Sequence, residues 1–292
     1  MAAAVVAITA AVAASAASAQ APTGTIAYTV GAAPGGLYSS VLGGTPQLLA
    51  SGPIADLAWA PDGSRLAYVW QSPRGTSVLR TISAVGGPAQ TVQRNAGKPA
   101  WSPDGSRIVF ISDRRRNSLR IVAATGGRAR SIVTPKHQRN TQIGSVAWLP
   151  SGRLVYTVIR STGGLASTTR LRTIDPAGGP SQAVTVNLPD GLELTADSLE
   201  VSPSGDTLAV TVAKSRVLGA PTSLALVPAT GGTATTVIPN TFSGSFSPDG
   251  QALCAVQGNH PVFSTLAILS ADGATLSTPG IGAADCAWRP GT

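Results

Sequence analysis

The sequence predicts an all-β fold, namely a six-bladed β-propeller with four antiparallel strands in each blade. Three observations predict it: short apolar runs between turn-forming residues, a hairpin motif that recurs at steps of 42 to 53 residues, and chain ends that complement each other. Of the 292 residues, 33 are glycine and 22 are proline, but 43% are hydrophobic, which excludes an intrinsically disordered chain.

The hairpin motif joins an aromatic strand end, a proline turn and a β-branched return strand, as in "AWSPDGSRIVFIS" from residue 100. In such a turn proline presets φ, Asp or Ser bonds its own backbone, and Gly adopts the positive φ. Six copies of the motif place their prolines at Pro61, Pro103, Pro150, Pro203, Pro248 and Pro290.

A glycine pair, Gly-Gly or Asp-Gly, provides a second landmark and predicts the turn between the third and fourth strands of each blade. It also occurs six times, ending at Gly44, Gly87, Gly127, Gly179, Gly232 and Gly273. Because both landmarks count six and about four strand-like runs fit one repeat, six four-stranded blades are predicted.

The two ends of the chain are predicted to share one blade. Residues 283–288 form a lone first strand, whereas the N-terminal runs "TIAYTV", "LYSSVL" and "PQLLAS" supply strands two, three and four. Pairing the two ends completes the sixth blade and holds both termini, which would otherwise fray.

Residues 1–19 are predicted to be a signal peptide and residues 20–292 the propeller. The first 19 residues carry no charged side chain, and their apolar run ends at Ala17-Ser18-Ala19, which fits the small-x-small cleavage rule. No Lys or Arg forms a positive n-region, and the alternative is an alanine-rich buried helix. The run is too short for a good membrane anchor, so we expect a periplasmic or secreted protein whose mature form has no transmembrane span.

The repeat "AWSPDGSRIVFISDR" resembles the WD-repeat-like propeller repeat of the periplasmic translocation protein TolB and its relatives. The resemblance covers essentially the whole predicted mature chain and implies the propeller fold. TolB has an α/β domain ahead of its propeller, whereas only a few residues here separate the predicted cleavage site from the first predicted strand. Similar repeats occur in scaffolds, peptidase gating domains and some lyases, so the resemblance specifies fold more closely than function.

The turn acids are interpreted as structural residues. In a propeller the first-to-second and third-to-fourth turns lie on one face, here called the tip face, and the other loops lie on the opposite loop face. Asp62, Asp104 and Asp249 occupy a turn position that is Ser151 or Ser204 in the other two complete copies. Asp and Ser share the turn role but not acid–base chemistry, which favours a structural role.

Polar residues are predicted to surround the loop-side mouth of the central channel. They stand three residues before each aromatic position and are Asp56, Lys98, Ser145, Ser198, Ser243 and Asp285, here called the mouth ring. Asp56 and Asp285 belong to neighbouring blades and suit a cation such as calcium, although a calcium ion takes six or more oxygens. An ion pair between Asp56 and Lys98 is the alternative.

Charge is distributed unevenly along the chain. Residues 65–172 contain 18 basic and two acidic side chains, whereas the rest contains three basic and 11 acidic ones. Basic residues predicted on the loop face are Arg74, Arg94, Lys98, Arg114, Arg115, Arg116, Lys136, Arg139 and Arg160. They suit an anionic partner, an envelope protein or an anionic polymer, and a merely solvated surface is the alternative. Export and the lack of aromatic residues in these loops argue against nucleic acid.

A catalytic function is the alternative to a binding scaffold. The chain has two histidines, His137 and His260, in different loops, and no Gly-x-Ser-x-Gly elbow. A hydrolase needs a nucleophile, a base and an orienting group. We therefore expect a monomeric, non-catalytic scaffold, with a small lyase or hydrolase carrying a metal-assisted channel site as the alternative.

The two cysteines are candidates for a disulfide. Cys254 is predicted on the second strand of blade six and Cys286 on the first strand of neighbouring blade one, and export permits oxidation. A bond would hold the ring near its closure, provided that the strand faces match within the short Cα separation a disulfide allows. Two free buried cysteines are the alternative.

Overall fold

The computed structural model shows six four-stranded antiparallel sheets arranged as a β-propeller, which confirms the fold that the repeat predicts. It describes residues 23–31, 35–113, 117–135, 141–163, 166–189, 191–214, 221–258 and 264–291. The strands are numbered β1 to β26 in chain order, and the first strand of each blade lines a central channel.

The first three blades are formed mainly by the N-terminal part of the chain. Blade one contains β1 (Thr25–Val30), β2 (Gly36–Val41), β3 (Gln47–Ser51) and the C-terminal β26 (Asp285–Trp288). Blade two contains β4 (Ile54–Trp59), β5 (Arg65–Gln71), β6 (Ser77–Ser83) and β7 (Gln90–Arg94). Blade three contains β8 (Ala96–Trp101), β9 (Arg107–Ser112), β10 (Ser118–Ala123) and β11 (Arg130–Val133).

The other three blades follow in chain order. Blade four contains β12 (Thr141–Trp148), β13 (Leu154–Gly163), β14 (Ala166–Ile174) and β15 (Gln182–Val184). Blade five contains β17 (Glu193–Val201), β18 (Thr207–Ala213), β19 (Thr222–Pro228) and β21 (Thr236–Ile238). Blade six contains β22 (Thr241–Phe246), β23 (Ala252–Gln257), β24 (Thr265–Ser270) and β25 (Thr275–Ser277). A short parallel pair, β16 (Val186–Asn187) with β20 (Gly232–Thr233), links blades four and five.

Ring closure occurs in blade one, as predicted. The strand order of its sheet is β26-β1-β2-β3, and β26 pairs with β1 in antiparallel register from Ile26 opposite Trp288 to Thr29 opposite Asp285. The C-terminal strand therefore supplies the innermost strand of a blade whose other three strands come from the N-terminus.

Six apolar clusters form the core, one between each pair of neighbouring blades. The run "RIVFIS" of β9 shows why the middle strands are apolar on both faces. Ile108 and Phe110 pack against blade two, whereas Val109 and Ile111 pack against blade four. Side chains alternate across a strand, so a blade between two neighbours buries both of its faces.

The proline turns contact one another around the tip face. The turn glycine of one blade lies against the turn proline of the preceding blade: a Cβ on Gly105 would be 3.6 Å from Pro61, and one on Gly205 would be 2.7 Å from Pro150. Within a turn, Asp104 accepts hydrogen bonds from the Ser102 hydroxyl and the Ser106 amide. These bonds lower the pKa of Asp104 to about 2, which fits a turn residue rather than an acid that exchanges protons near neutral pH.

Three of the first-strand tryptophans bind their blade to the one before it. The indole N–H groups of Trp59, Trp101 and Trp148 donate to the carbonyl oxygens of Ala287, Ala58 and Ala100, at 3.2, 3.0 and 3.1 Å. Each bond satisfies a buried polar group and fixes the angle between two adjacent sheets. The aromatic position of the repeat therefore has a structural role at the inner edge of the ring.

The structure describes Cys254 and Cys286 as a disulfide, with a Cα–Cα distance of 6.3 Å. Cys254 lies on β23 of blade six and Cys286 on the closing strand β26. Both side chains are buried in the cluster between blades six and one. The bond therefore joins the closing strand to the neighbouring blade, across an interface distinct from its pairing with β1.

The contacts between turns predict unequal effects for two matched glycine substitutions. Gly152 and Gly205 both follow Pro-Ser and both have a φ of 80°, but only Gly205 lies against a neighbouring proline. We expect Gly152→Ala to lower the free energy of unfolding by about 1 kcal/mol through backbone strain. Gly205→Ala should lower it by about 2 to 4 kcal/mol because overpacking adds to that strain. Denaturant unfolding of both variants measures the difference, and equal losses would show that contact with Pro150 contributes nothing.

Candidate functional site

A central channel with a volume of about 1290 Å³ passes between the six first strands. All six residues of the mouth ring line this channel. The repeat prolines also line it, at the tip-face ends of the first strands, so the two mouths differ in chemistry. The tip-side mouth is apolar, and the loop-side mouth presents carboxylates, hydroxyls and one ammonium group.

β-Bulges in two of the first strands direct the side chains of Asp56 and Lys98, two residues of the mouth ring, into the channel. The pairing of β4 with β5 shifts register between Ala55 and Ala58, and that of β8 with β9 shifts between Gly97 and Ala100. Asp56 and Lys98 lie within these bulges with positive φ values of 52° and 50°. A bulge removes a residue from the ladder and redirects its side chain, which here lines the channel.

Asp285 connects three blades at the mouth. Its carboxylate accepts from the Leu57 amide of blade two at 3.0 Å, the Ser243 hydroxyl of blade six at 2.8 Å and the Cys286 amide of its own blade at 2.9 Å. Burial, with a smaller contribution from Asp56, raises the pKa of Asp285 despite these bonds. This carboxylate therefore has a structural role at the closure of the ring.

Asp56 and Lys98 form the ion pair that was the alternative to a shared cation. Lys98 Nζ lies 3.1 Å from Asp56 Oδ1, and the Lys98 amide donates to Asp56 Oδ2 at 3.1 Å. The ammonium also donates to the Asp197 carbonyl of blade five at 2.8 Å, so the side chain reaches across the mouth. Burial alone would lower the pKa of Lys98, but attraction to Asp56 and then Asp285 raises it.

Calcium at the mouth stays a prediction. Asp56 is engaged by Lys98 and Asp285 by two amides and a hydroxyl, so a calcium ion would have to displace existing partners. Among the residues that the structure describes, no group of three or more His, Cys, Asp or Glu side chains is placed to hold a metal ion.

Two serines of the mouth ring have a different arrangement. The amides of Ser145 and Ser198 donate to the hydroxyls of Thr157 and Thr211, at 2.8 and 3.1 Å, on the neighbouring strand of the same blade. In blades two and three the amide of the bulge donates instead to an aspartate of the preceding blade. The mouth ring thus satisfies backbone donors in two ways, with threonine inside a blade or aspartate between blades.

Glu200 is a channel residue that the sequence analysis did not select. It lies on β17 one position before Val201, where the other copies have Ala58, Ala100, Ala147, Ser245 and Ala287. Its carboxylate accepts from the Ser245 hydroxyl at 3.2 Å, and burial, with a smaller contribution from Asp285, raises its pKa to about 7. An acid at a position otherwise occupied by small residues is the signal that aligned repeats could have supplied.

The structure describes four of the nine basic residues predicted on the loop face. Arg74, Arg94 and Arg160 are exposed, and their guanidinium groups have no hydrogen-bond or ion-pair partner in the described part of the chain. Lys98 differs because it is paired with Asp56. Residues predicted for this face that lie outside the described ranges are Arg114, Arg115, Arg116, Lys136 and Arg139, and both histidines, His137 and His260, also lie outside them.

Several arginines away from the loop face bind the protein itself. Arg130 donates to the Pro176 and Ala177 carbonyls of blade four, and Arg289 donates to the Gly63 carbonyl at 2.8 Å. Arg107 and Arg289 also lie over the rings of Trp148 and Trp59. These contacts join neighbouring blades, so Arg107, Arg130 and Arg289 help to hold the blades together on the tip face.

Glu200 predicts a specific pH dependence of stability. Since its pKa is raised from 4.5 to about 7 in the folded state, ionised Glu200 destabilises the fold. The destabilisation is absent below about pH 4.5, grows as the pH rises and is complete above about pH 7. We expect Glu200→Gln to stabilise the protein by about 1 to 3 kcal/mol at pH 8 and to have little effect at pH 4.

Urea unfolding at pH 4, 6 and 8 checks this expectation. Asp206→Asn is the matched control for the loss of one carboxylate, because Asp206 is exposed in the turn that follows the same strand and does not line the channel. A constant difference between Glu200→Gln and the parent protein at all three pH values would contradict the assignment.

Comparisons with known proteins support the fold. No protein-family model matches the chain, and no curated protein matches it. The solved structure of TolB from Acinetobacter baumannii matches with a TM-score of 0.69 and 21% identity, over 91% of this chain and 67% of that TolB chain. A putative TolB from Agrobacterium tumefaciens matches with a TM-score of 0.58 and 16% identity, over 88% of each chain. The chain thus shares the propeller fold of these TolB structures, which confirms the predicted resemblance at the level of fold.

Proposed function

We propose that the protein is an exported, non-catalytic binding scaffold of the cell envelope whose loop face holds an anionic partner, a protein or a polymer. The observation that carries the proposal is the contrast among the arginines. Arg74, Arg94 and Arg160 are exposed without partners in the described part of the chain, whereas Arg130 and Arg289 bind backbone carbonyls. Basic groups that the fold does not use remain able to bind a ligand.

The backbone holds these three arginines in fixed places. Arg74 lies in a tight turn in which the Gly75 amide donates to the Ser72 carbonyl and the Thr76 amide to the Ser72 hydroxyl, both at 2.9 Å. Arg94 is the last residue of β7, opposite Val78, and Arg160 pairs with strands on both sides. A charge on a fixed backbone loses less conformational entropy when a ligand binds.

The net charge of the surrounding segment strengthens the attraction. Residues 65–172 hold 18 of the 21 basic side chains of the protein and only two acids. Asp104 is one of these acids, and it lies in a turn on the tip face. The field of the basic half therefore favours anionic ligands at a distance, and the individual arginines then bind carboxylate, sulfate or phosphate groups.

The predicted signal peptide supports export. Residues 1–22 lie outside the described residues, so the support is the uncharged apolar run and its Ala17-Ser18-Ala19 end. Within the described ranges, no helix is long and apolar enough to cross a membrane. The Cys254–Cys286 disulfide also suits an oxidising compartment.

Binding to anionic probes tests the role of the loop face. We expect poly-L-glutamate, alginate or vesicles of anionic phospholipid to bind with an affinity that falls steeply between low and physiological salt, because screening weakens exposed charges. Arg94→Ser should weaken binding about threefold to tenfold, since a charge-assisted hydrogen bond is lost. The three probes distinguish a protein-like, a polysaccharide and a lipid partner.

Arg128→Ser is the matched control for that experiment. Arg128 is also exposed in the basic half but lies in the third-to-fourth turn of blade three, on the tip face. The combined change of Arg114, Arg115 and Arg116 to Ala extends the test to predicted contacts outside the described residues. Equal effects of Arg94→Ser and Arg128→Ser would reject a localised site, and no binding at low salt would reject the proposal.

Intact-mass spectrometry of protein recovered from the envelope tests export and oxidation together. We expect a mature chain that begins at Gln20 and resists thiol alkylation until it is reduced, because cleavage follows Ala19 and the cysteines are bonded. Retention of residues 1–19 would contradict the signal peptide. Alkylation of two thiols without reduction would contradict the disulfide.

A further inference from the structure

The channel wall departs from its sixfold pattern where blades five, six and one meet. The residues of this part of the wall, here called the closure sector, are Thr29, Glu200, Ser245, Asp285 and Trp288, and all of them line the channel. Ser245 links three strands here: its hydroxyl accepts from the Trp288 amide at 3.3 Å and donates to Glu200 at 3.2 Å. The sector therefore contains two carboxyl groups as well as hydroxyl groups.

Within the part of the chain that the structure describes, two buried polar groups of the closure sector have no hydrogen-bond partner, the Trp288 indole N–H and the Thr29 hydroxyl. Outside the sector, the Ser118 hydroxyl and Arg120 Nε on β10 are also without one. The corresponding indoles of Trp59, Trp101 and Trp148 all donate to a preceding blade, so blade one departs from their pattern. A buried polar group without a partner destabilises a protein by about 1 to 3 kcal/mol, and its retention calls for an explanation.

Thr29 departs from the pattern in the same way. It lies opposite Asp285 of the mouth ring, just as Thr157 and Thr211 lie beside Ser145 and Ser198. Those two threonines receive the amides of the mouth-ring serines. In blade one the Thr29 hydroxyl does not receive the Asp285 amide in this way, and it has no hydrogen-bond partner among the described residues.

The unpartnered groups and the carboxyl groups together define what would fit the sector. The indole N–H of the sector is a donor, so its ligand must offer an acceptor, which an ammonium group lacks. The carboxyl groups and the serine hydroxyl of the sector accept hydrogen bonds, so the ligand must also offer donors. Hydroxyl groups of a ligand can donate and accept, so a ligand that carries several of them satisfies every member of the sector. The channel is larger than the roughly 300 to 1,000 Å³ of most small-molecule sites.

Aromatic rings complete the wall. Trp59, Trp101, Trp148 and Phe246 line the channel, and each leaves less than a tenth of its side chain exposed there. Ring edges of this kind offer apolar contact to the C–H groups of a sugar while neighbouring polar groups bind its hydroxyls. The channel wall thus offers apolar aromatic surface beside the hydrogen-bond donors and acceptors of the closure sector.

We propose that the closure sector binds a neutral, polyhydroxylated ligand, namely a saccharide segment of one to three sugar units inside the channel. The Trp288 N–H and Thr29 hydroxyl are buried in the wall, and the proposal requires a side-chain rotation in the sector that lets a sugar hydroxyl reach each of them. The Glu200 carboxyl group binds a second hydroxyl. This site is separate from the loop-face arginines and goes beyond the proposed function, so either can fail without the other.

Titration of the full mature protein with neutral trisaccharides tests the proposal. The probes are maltotriose, cellotriose and tri-N-acetylchitotriose, up to about 10 mM, followed by calorimetry and by tryptophan fluorescence. We expect at least one of them to bind. Trp288→Phe keeps an aromatic ring but removes the N–H together with the pyrrole part of the indole, and it should weaken that binding about fivefold or more. Thr29→Val should weaken it about fivefold, since it removes about one net hydrogen bond.

Matched variants separate binding from folding. In Thr157→Val the same hydroxyl is removed where the fold uses it, so this variant should lower the denaturation midpoint and leave affinity within about twofold. Thr29→Val should leave the denaturation midpoint unchanged or raise it, because it deletes an unpartnered hydroxyl.

Three outcomes would overturn the proposal. The first is that no trisaccharide binds at about 10 mM. The second is that the affinity for the sugar is unchanged in Trp288→Phe, Thr29→Val and Glu200→Ala. The third outcome is that spermidine, used as a cationic probe, binds and loses affinity in Glu200→Ala while the sugars do not bind, which would assign the sector to amines instead.

Discussion

Every blade of this protein depends on a neighbour on each side, because its middle strands are apolar on both faces. Ring closure is therefore the constraint on which the structure depends, and the closing strand β26 fulfils it through contacts with three blades. It pairs with β1, its Cys286 is bonded to Cys254 of blade six, and its Asp285 accepts the Leu57 amide of blade two. Without that strand, apolar faces of blades six and two would meet water.

Closure also determines the chemistry of the channel. The innermost strands converge and bulge at the loop-side mouth, so amide groups leave the ladder and need other acceptors. Asp285 and Asp56 accept such amides in the next blade, and Thr157 and Thr211 do so within their own blade. Carboxylates that suggest a metal site in the sequence are thus explained by the backbone of a ring, and Lys98 balances the charge of one of them.

The sequence predicted the blades because their signals are local. A Pro-Asp-Gly turn and an apolar β-branched run determine a hairpin without reference to distant residues, and the count of copies determines the ring. Counting three residues back from the aromatic position of each repeat also selected six residues that line the channel. Partners across the ring were not predictable, since spacing does not encode the contact of Lys98 with the Asp197 carbonyl. Glu200 is not indicated by the residues that the repeats share, because the other copies have Ala or Ser at its position.

Residues that depart from the repeat pattern are informative because every blade must pack against two neighbours in the same way. A tryptophan that donates to the preceding blade, or a threonine that accepts a bulge amide, is explained by the fold wherever it recurs. Trp288 and Thr29 occupy the same positions without those partners, and Glu200 replaces a small residue on the same wall. Folding alone does not require two carboxyl groups and two unpartnered groups at one junction, and this coincidence is the basis of the proposed saccharide site.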